Sequence, residues 1–531
     1  MSDNELQALA ALKPHVQGAL ASSALTHFMA HGALQSFAED STLALKRSAL
    51  EKAHPVLMSS LDINSGVHGS LKRLQEAANY YFYKMEPTFQ YAIPSPLMSY
   101  LTRPGKGKMY SEAYQPSDLP ASITFMGQFI DHDLTKNAAN LVDPEVDPVV
   151  DVASPYIDLD SVYGPRSDAN MKDGGGAMSP RTADGRFVLT KLDASNNAYD
   201  VQRSNGNALI EDGRNDENQM ILQVHLLQMR VHNLLIKEKG LSAAAAQTET
   251  IYNWQSVVLN DHQASVLDAT ILQQVLADLK QEIAHPGSSP VKYRPLPDGT
   301  LRLPHEFAIA FRYGHSQLRD AYFVAQGRAF VLFNNLDPGP DFKDLRGGRA
   351  LTAERAIDWP YFIDPADDNR KSNKLDTLVA SDVFDLPESA VPDASSKFLG
   401  NLPQRNLIRS REIGLTSGEK LFDFYFGAGA AGKLTPDQVE PDKAMQPLFS
   451  LQPNAGFQTP LWYYVLKEAE LNGGLRLGKL GSRLVAEVVG GAIYYNPVSY
   501  VRDPTWKSAI SGSNVVMMKD LVNFVLNKDA T

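Results

Sequence analysis

Four separated segments of the chain hold residues whose types and spacing can do chemistry. In Gln128-Phe129-Ile130-Asp131-His132-Asp133, helical spacing puts Gln128 and His132, four apart, on one face and turns Asp133 elsewhere. Such a face can line a polar pocket, and histidine is the side chain that exchanges protons near neutral pH. In Ser154-Pro155-Tyr156-Ile157-Asp158-Leu159-Asp160, alternation brings Asp158 and Asp160 to one side, near a hydroxyl and backbone carbonyls. Hard oxygen ligands in that pattern suit Ca²⁺, although a lone D-x-D is more often a solvated acidic loop. Asp212-Gly213-Arg214-Asn215-Asp216-Glu217-Asn218 is a turn running into a helix, and its acids also serve as ordinary caps at the positive end of the helix dipole. Phe311-Arg312-Tyr313-Gly314-His315 sets a histidine beside a glycine in an apolar helical pattern, where the glycine costs stability and points to close approach by something bulky.

The elements that must position these groups are mostly helices. ASITFMGQFIDHDLTK (121–136) is helical and is followed by a Pro- and Asp-rich loop. ENQMILQVHLLQMRVHNLLIKEKG (217–240) is a strong helix, with Met220, Val224, Leu227 and Val231 at helical spacing and Gly240 as its stop. His225 and His232, seven apart on it, read as packing or supporting residues. Helical patterns also cover 1–60, 71–83, 251–284, 304–319, 460–470 and 481–489, while 86–108 reads as an extended connector and 359–404 as largely irregular. Strand alternation is scarce and no repeat is visible. The expectation is a mainly α protein with long loops and little sheet, organised as an N-terminal helical segment (1–95) packed on one large domain (96–531).

Composition limits the chemistry. The 531 residues include 50 basic and 61 acidic side chains, a net charge of −11, which argues against a nucleic-acid partner. Cysteine is absent, so disulfides, thiolate metal sites and cysteine nucleophiles are excluded. No apolar run spans a bilayer; the longest near the C-terminus, LVAEVVGGAIYY, is short and carries Glu487. The N-terminus lacks a secretory signal pattern, so the expected location is cytoplasmic or exported by another route. GAGAAGKL (427–434) imitates a phosphate loop, but Leu434 replaces the required hydroxyl residue and Pro436 and Pro441 follow. A plain small-residue loop is the better reading.

Taken together, the four segments, with RNLIRSREIGL (405–415) and TPLWYYVLKEAE (459–470), resemble the animal-type haem peroxidases of the peroxidase–cyclooxygenase superfamily, particularly bacterial members. The resemblance runs from about Thr124 to Gly414 in the family's order. It implies a large helical haem domain and an oxidoreductase that reduces H₂O₂ through a ferryl intermediate. The implied donors are halides, pseudohalides or small phenols, and a role in the response to oxidative stress is expected. By the resemblance, His132 is the distal histidine, Gln128 orders water and halide, and Arg214 is the catalytic arginine. His315 is the haem iron ligand, Asn406 accepts its other N–H, and Arg312 and Arg409 lie near the haem propionates. Asp133, Ser154, Tyr156 (through its carbonyl), Asp158 and Asp160 match the family's calcium site. Asp131 and Glu217 match carboxylates that form ester bonds to haem b in mammalian members. Asn218 stands where myeloperoxidase has a sulfonium-forming methionine, so that link cannot form here. Two alternatives stay in view. A fatty-acid dioxygenase of the same superfamily would need a radical tyrosine three residues before the proximal histidine, where this chain has Arg312. A non-enzymatic haem-binding protein would need neither His132 nor Arg214.

Overall fold

The computed structural model describes residues 82–135, 153–164, 179–296, 299–333, 344–387 and 400–531. The helices expected over 1–60, and nearly all of the segment expected over 1–95, lie outside the described residues. The principal helices are α1 (Ser95–Thr102), α2 (Ser122–Leu134), α3 (Gln219–Lys239), α4 (Ala243–Val257), α5 (Ala269–Ala284), α6 (His305–Ala310), α7 (Leu402–Glu412), α8 (Gly418–Phe426), α9 (Leu461–Leu471), α10 (Lys479–Tyr494) and α11 (Met518–Val525). Among the described residues the strands form only two-stranded pairs, such as Leu189–Lys191 against Tyr199–Val201, with Leu189 opposite Val201. The protein is mainly α, as the sequence implies.

The chain divides into two units. The smaller comprises Met1–Lys84, Leu134–Pro155 and Arg294–His305, and the larger Met85–Asp133, Tyr156–Tyr293 and Glu306–Thr531. Within the described part of the smaller unit, Tyr83 donates its N–H to the Leu303 carbonyl and accepts from the His305 N–H, and Phe82 stacks on His305.

In the larger unit, α3 is the central element. Asn218 caps it, its side chain accepting from the N–H groups of Met220 and Ile221, and Gly240 ends it in the left-handed region at φ 67°. Such a cap contributes about 1 kcal/mol. Every residue from Gln219 to Leu235 is buried, so the helix is enclosed on all faces and not along one stripe. Polar groups on α3, including Gln223, His225, Arg230 and Asn233, are therefore inside, where each needs a partner. Arg230 meets this need through the carbonyls of Asn196, Asn197 and Val525.

Helix α5 packs along α10, and the Gly490-Gly491 pair sets how closely that helix is approached. A Cβ on Gly490 would stand 2.8 Å from Leu279 Cδ1, and one on Gly491 would stand 2.5 Å from Tyr293 Cδ1. The apolar run expected to be too short for a bilayer is this buried helix. Its Glu487 is held by Arg483 and by the N–H groups of Lys292 and Tyr293. No helix among the described residues is long and apolar enough to cross a membrane.

Three details depart from the sequence reading. The connector expected over 86–108 contains α1, because Pro96 sits in its first turn, where proline is tolerated, and Leu97, Met98 and Leu101 are buried beneath it. The helical region 251–284 is interrupted by a π-helical turn at Val258–Gln263 and a break at Leu267. The helix over 304–319 is α only to Ala310 and then tightens to a 3₁₀ helix, Phe311–Gln317. Residues 427–435 form turns with Gly427, Gly429 and Gly432 at positive φ, and Lys433 pairs with Asp423, so the phosphate-loop imitation is a plain loop.

Candidate functional site

The distal cluster is assembled from α2 and the turn ahead of α3. Asp212 shapes that turn: its carboxylate accepts from the Arg214 N–H at 3.0 Å and from the Arg214 guanidinium at 2.8 Å and 3.1 Å. Arg214 Nη2 also donates to the His132 carbonyl at 3.1 Å, fastening the turn to α2. Burial opposes the charge on Arg214, but Asp212, with Asp131 and Glu217, holds its pKa above the ordinary guanidinium range. It is a permanent, fixed cation.

His132 is buried. Its Nδ1 lies 2.8 Å from Asn215 Oδ1 and its Nε2 lies 3.8 Å from Glu217 Oε1. Gln128 donates to Glu217 and accepts from Asn218 Nδ2 at 3.3 Å, so the cap of α3 also orients the glutamine. Burial raises the Glu217 carboxyl to about 7, with Arg214 working the other way. The expected set of Gln128, His132, Arg214 and Glu217 is thus brought together. Asp131 is felt electrostatically by both Arg214 and Arg312.

The proximal cluster is assembled from the 3₁₀ helix Phe311–Gln317 and α7. Three residues per turn place Arg312 and His315 on one face, and both meet Asn406 of α7. Arg312 Nη1 donates to Asn406 Oδ1 at 3.0 Å, and Asn406 Nδ2 lies 2.9 Å from His315 Nδ1. With Oδ1 engaged by Arg312, Asn406 turns Nδ2 toward His315, whereas the expected acceptance of the His315 N–H uses the opposite orientation of the amide. A half-turn of the amide reverses the polarity and releases Arg312 for another anion. Burial, then Arg312 and Arg405, push the His315 imidazole down to about 3, so it is neutral, as a metal ligand must be. Trp462 of α9 stands edge-on to its ring at 6.3 Å. Beside Gly314 the chain's own nearest atom to an added Cβ is Gln317 Oε1 at 4.0 Å, so the close approach inferred there is not made by the protein. Arg409 is buried one turn beyond Asn406 on α7.

Asp131, Gln128, Arg214, Glu217, Arg312, Arg405 and His315 all keep partly accessible side chains, although burial dominates the shifts of the four whose shifts show it most: Arg312, Arg405, Glu217 and His315. Arg405, which senses both Glu217 and His315, was missed by sequence reasoning; its only signal is adjacency to Asn406. Asn215 and Asp212 were quoted with their motif but given no role of their own.

A third cluster joins Asp133, Asp158 and Asp160, whose nearest carboxylate oxygens all lie within 4.8 Å of one another. Asp133 is fully buried. Its Oδ2 accepts from Leu159 N–H at 3.1 Å, while its Oδ1 has no hydrogen-bond partner among the described residues. Burial, then Asp158, raises the Asp133 carboxyl well above the usual range. Leu159 takes a left-handed φ of 58° to make this turn, and the Ile157 carbonyl is pinned by Gln255 and Asn496. Tyr156 is adjacent and partly exposed. Ser154 is buried but belongs to the smaller unit.

Residues 145–339 match the family model described as animal haem peroxidase. Over that segment the chain is similar to the animal haem peroxidases. The matched segment contains Arg214, Glu217 and His315, whereas His132 and Asn406 fall outside it. No curated protein matches the chain in sequence. Its fold is similar to that of the Oryza sativa fatty acid alpha-dioxygenase (13% identity, TM-score 0.52), over 98% of this chain and 95% of that one. It is also similar to the Arabidopsis thaliana fatty acid alpha-dioxygenase (13% identity, TM-score 0.50), over 99% and 92% of the two chains. Peroxidase A from Dictyostelium discoideum is found at 14% identity and TM-score 0.47, over 84% and 95%.

Proposed function

We propose that this protein is a haem peroxidase of the animal type that reduces H₂O₂ and oxidises a small donor. The observation that carries the reading is the pairing of His132 with Arg214, which donates to the His132 carbonyl beside Gln128 and Glu217, while Arg405 acts electrostatically on both Glu217 and a neutral His315. The residues fit haem. His315 offers a neutral imidazole for the iron. Arg312 and Arg409 are cations for the propionates. Asp131 and Glu217 are carboxyls placed for ester links. Bound haem supplies the redox chemistry. In the chain, His132 takes a proton from H₂O₂ and returns it to the departing oxygen. Arg214 stabilises the negative charge that develops as the O–O bond breaks. Gln128, held between Glu217 and Asn218, orients water or an anionic donor.

Arg312 favours this reading over a fatty-acid dioxygenase, because the position three before His315 carries a guanidinium bonded to Asn406 and no phenol. Because Asn218 is committed to capping α3 and has no sulfur, we expect bromide, iodide, thiocyanate or phenols to be better donors than chloride. The test is an absorption spectrum of the purified protein before and after H₂O₂, followed by acidic organic extraction and peptide mass analysis of the same sample. A Soret band that responds to H₂O₂ is expected, with haem retained on the peptides of Asp131 or Glu217. A colourless protein that cannot be reconstituted overturns the function. Quantitative release of haem removes only the esters.

We further propose that Asp133, Asp158 and Asp160, with the Tyr156 carbonyl, hold Ca²⁺, an ion that accepts such oxygen sets. The partnerless buried oxygen of Asp133 supports it. Because Asp133 adjoins His132, the ion would steady the distal helix end. Chelation is expected to lower stability by about 2.7 kcal/mol when compared with calcium at a hundred times its Kd, read by denaturant titration. Metal analysis of active protein showing no calcium would overturn the site.

A further inference from the structure

The three buried side chains behind the distal histidine form a line. Asn215 Oδ1 lies 2.8 Å from His132 Nδ1, and Asn215 Nδ2 lies 3.0 Å from His225 Nδ1. Asn215 and His225 are completely buried, one in the 3₁₀ turn Gly213–Asp216 and the other about two turns into α3. An amide has one face that only accepts and one that only donates. With Nδ2 turned to His225, that ring must accept at Nδ1. With Oδ1 turned to His132, that ring must donate from Nδ1. A histidine with its proton on Nδ1 keeps its lone pair on Nε2.

Resting on the peroxidase reading above, we propose that Asn215 is a positioning residue that fixes His132 in the Nδ1–H tautomer, leaving Nε2 as the proton acceptor, and that His225 fixes the orientation of the Asn215 amide. The reverse amide orientation would put the His132 proton on Nε2 and remove the base. Glu217 Oε1 stands 3.8 Å from Nε2, beyond hydrogen-bond reach. Burial pushes the His225 imidazole down to about 3, so it stays neutral and able to accept. The ring of Phe129 stands perpendicular to His225 at 6.3 Å and closes the far side of the line.

The test uses the full chain loaded with haem and follows two reactions by stopped flow: H₂O₂ reduction and cyanide binding. In the second, HCN must give up its proton on binding, so it reads the distal base without turnover. Asn215→Leu is expected to slow both by about 10–100-fold, the usual effect of losing a supporting partner, with the resting spectrum unchanged. Asn215→Asp keeps an acceptor at Nδ1 and is expected to hold both rates within a few-fold of wild type. His225→Phe leaves the amide in place but free to turn and is expected to slow both less than Asn215→Leu. Wild-type rates in Asn215→Leu would overturn the proposal. So would a tenfold or greater acceleration in Asn215→Asp, which would mean that the wild-type ring holds the other tautomer. If Asn215→Leu fails to retain haem, the Asp variant alone decides. His132→Ala is measured in parallel. Should it be as fast as wild type, the distal reading itself fails; should it be slow while Asn215→Leu is fast, only the tautomer assignment does.

Discussion

His315→Ala is expected to give a folded chain that loses haem on gel filtration. The imidazole is neutral, partly accessible, and met at Nδ1 by the Asn406 amide at 2.9 Å. Supporting partners of a metal-binding histidine typically contribute about 10–100-fold in affinity, so Asn406→Ala should weaken haem retention by that amount. Loss of the ligand itself must exceed it. Three other buried imidazoles in the larger unit are also depressed to about 3 but are placed differently, and His232 is engaged at its two nitrogens by the Tyr163 hydroxyl and the Gly185 carbonyl. His225 is committed at Nδ1 to Asn215, and His262 lies in the π-helical turn against Gly127. The measurement is Soret absorbance per chain after gel filtration, with and without free imidazole in the buffer. Recovery of the band with imidazole shows that the pocket survives and lacks only its ligand. Wild-type haem content in His315→Ala without added imidazole would remove this residue from the iron.

The helices that carry the site were legible because their signals are local. Asn218 and Gly240 mark the ends of α3, and the apolar rhythm of 121–136 marks α2, as the structure bears out. The candidate residues were legible because they are polar groups in otherwise apolar or capped segments. What escaped is what depends on three dimensions. The single stripe of Met220, Val224, Leu227 and Val231 gave no sign that α3 is buried on every face, so His225 could be assigned only to packing or support. Asn215 and Asp212 looked like turn and cap residues, and Asp212 is indeed the cap; their second contacts, to His132 and to the Arg214 guanidinium, come from tertiary placement. Arg312 and His315, three apart, share a face in either helix type, but their common partner Asn406 comes from α7, a packing that the local period cannot show. Arg405 had no pattern to reveal it. The inner helix α1 was hidden by prolines that read as breakers but sit at its start.

His132→Ala and Arg214→Ala are each expected to keep haem and to lose fast reaction with H₂O₂, because neither residue is placed to ligate iron and both bear on the O–O bond. A positioned acid–base group typically contributes about 10²–10⁴-fold, and a charge aimed at a developing anion about 10²–10³-fold. Arg214 carries a structural burden as well, since its guanidinium bridges Asp212 and the His132 carbonyl. Arg214→Lys therefore separates charge from geometry. It retains a cation, yet cannot repeat a contact that uses Nε and Nη2 on one carboxylate, so a substantial loss is expected there too. The double variant should be less impaired than the product of the single losses, because both groups serve one proton transfer and one charge separation in a single step. Stopped-flow traces of peroxide reduction at fixed pH, normalised to haem content, provide the comparison. Multiplicative losses would show that the two side chains act in separate steps, and near wild-type rates in both single variants would remove them from the chemistry altogether.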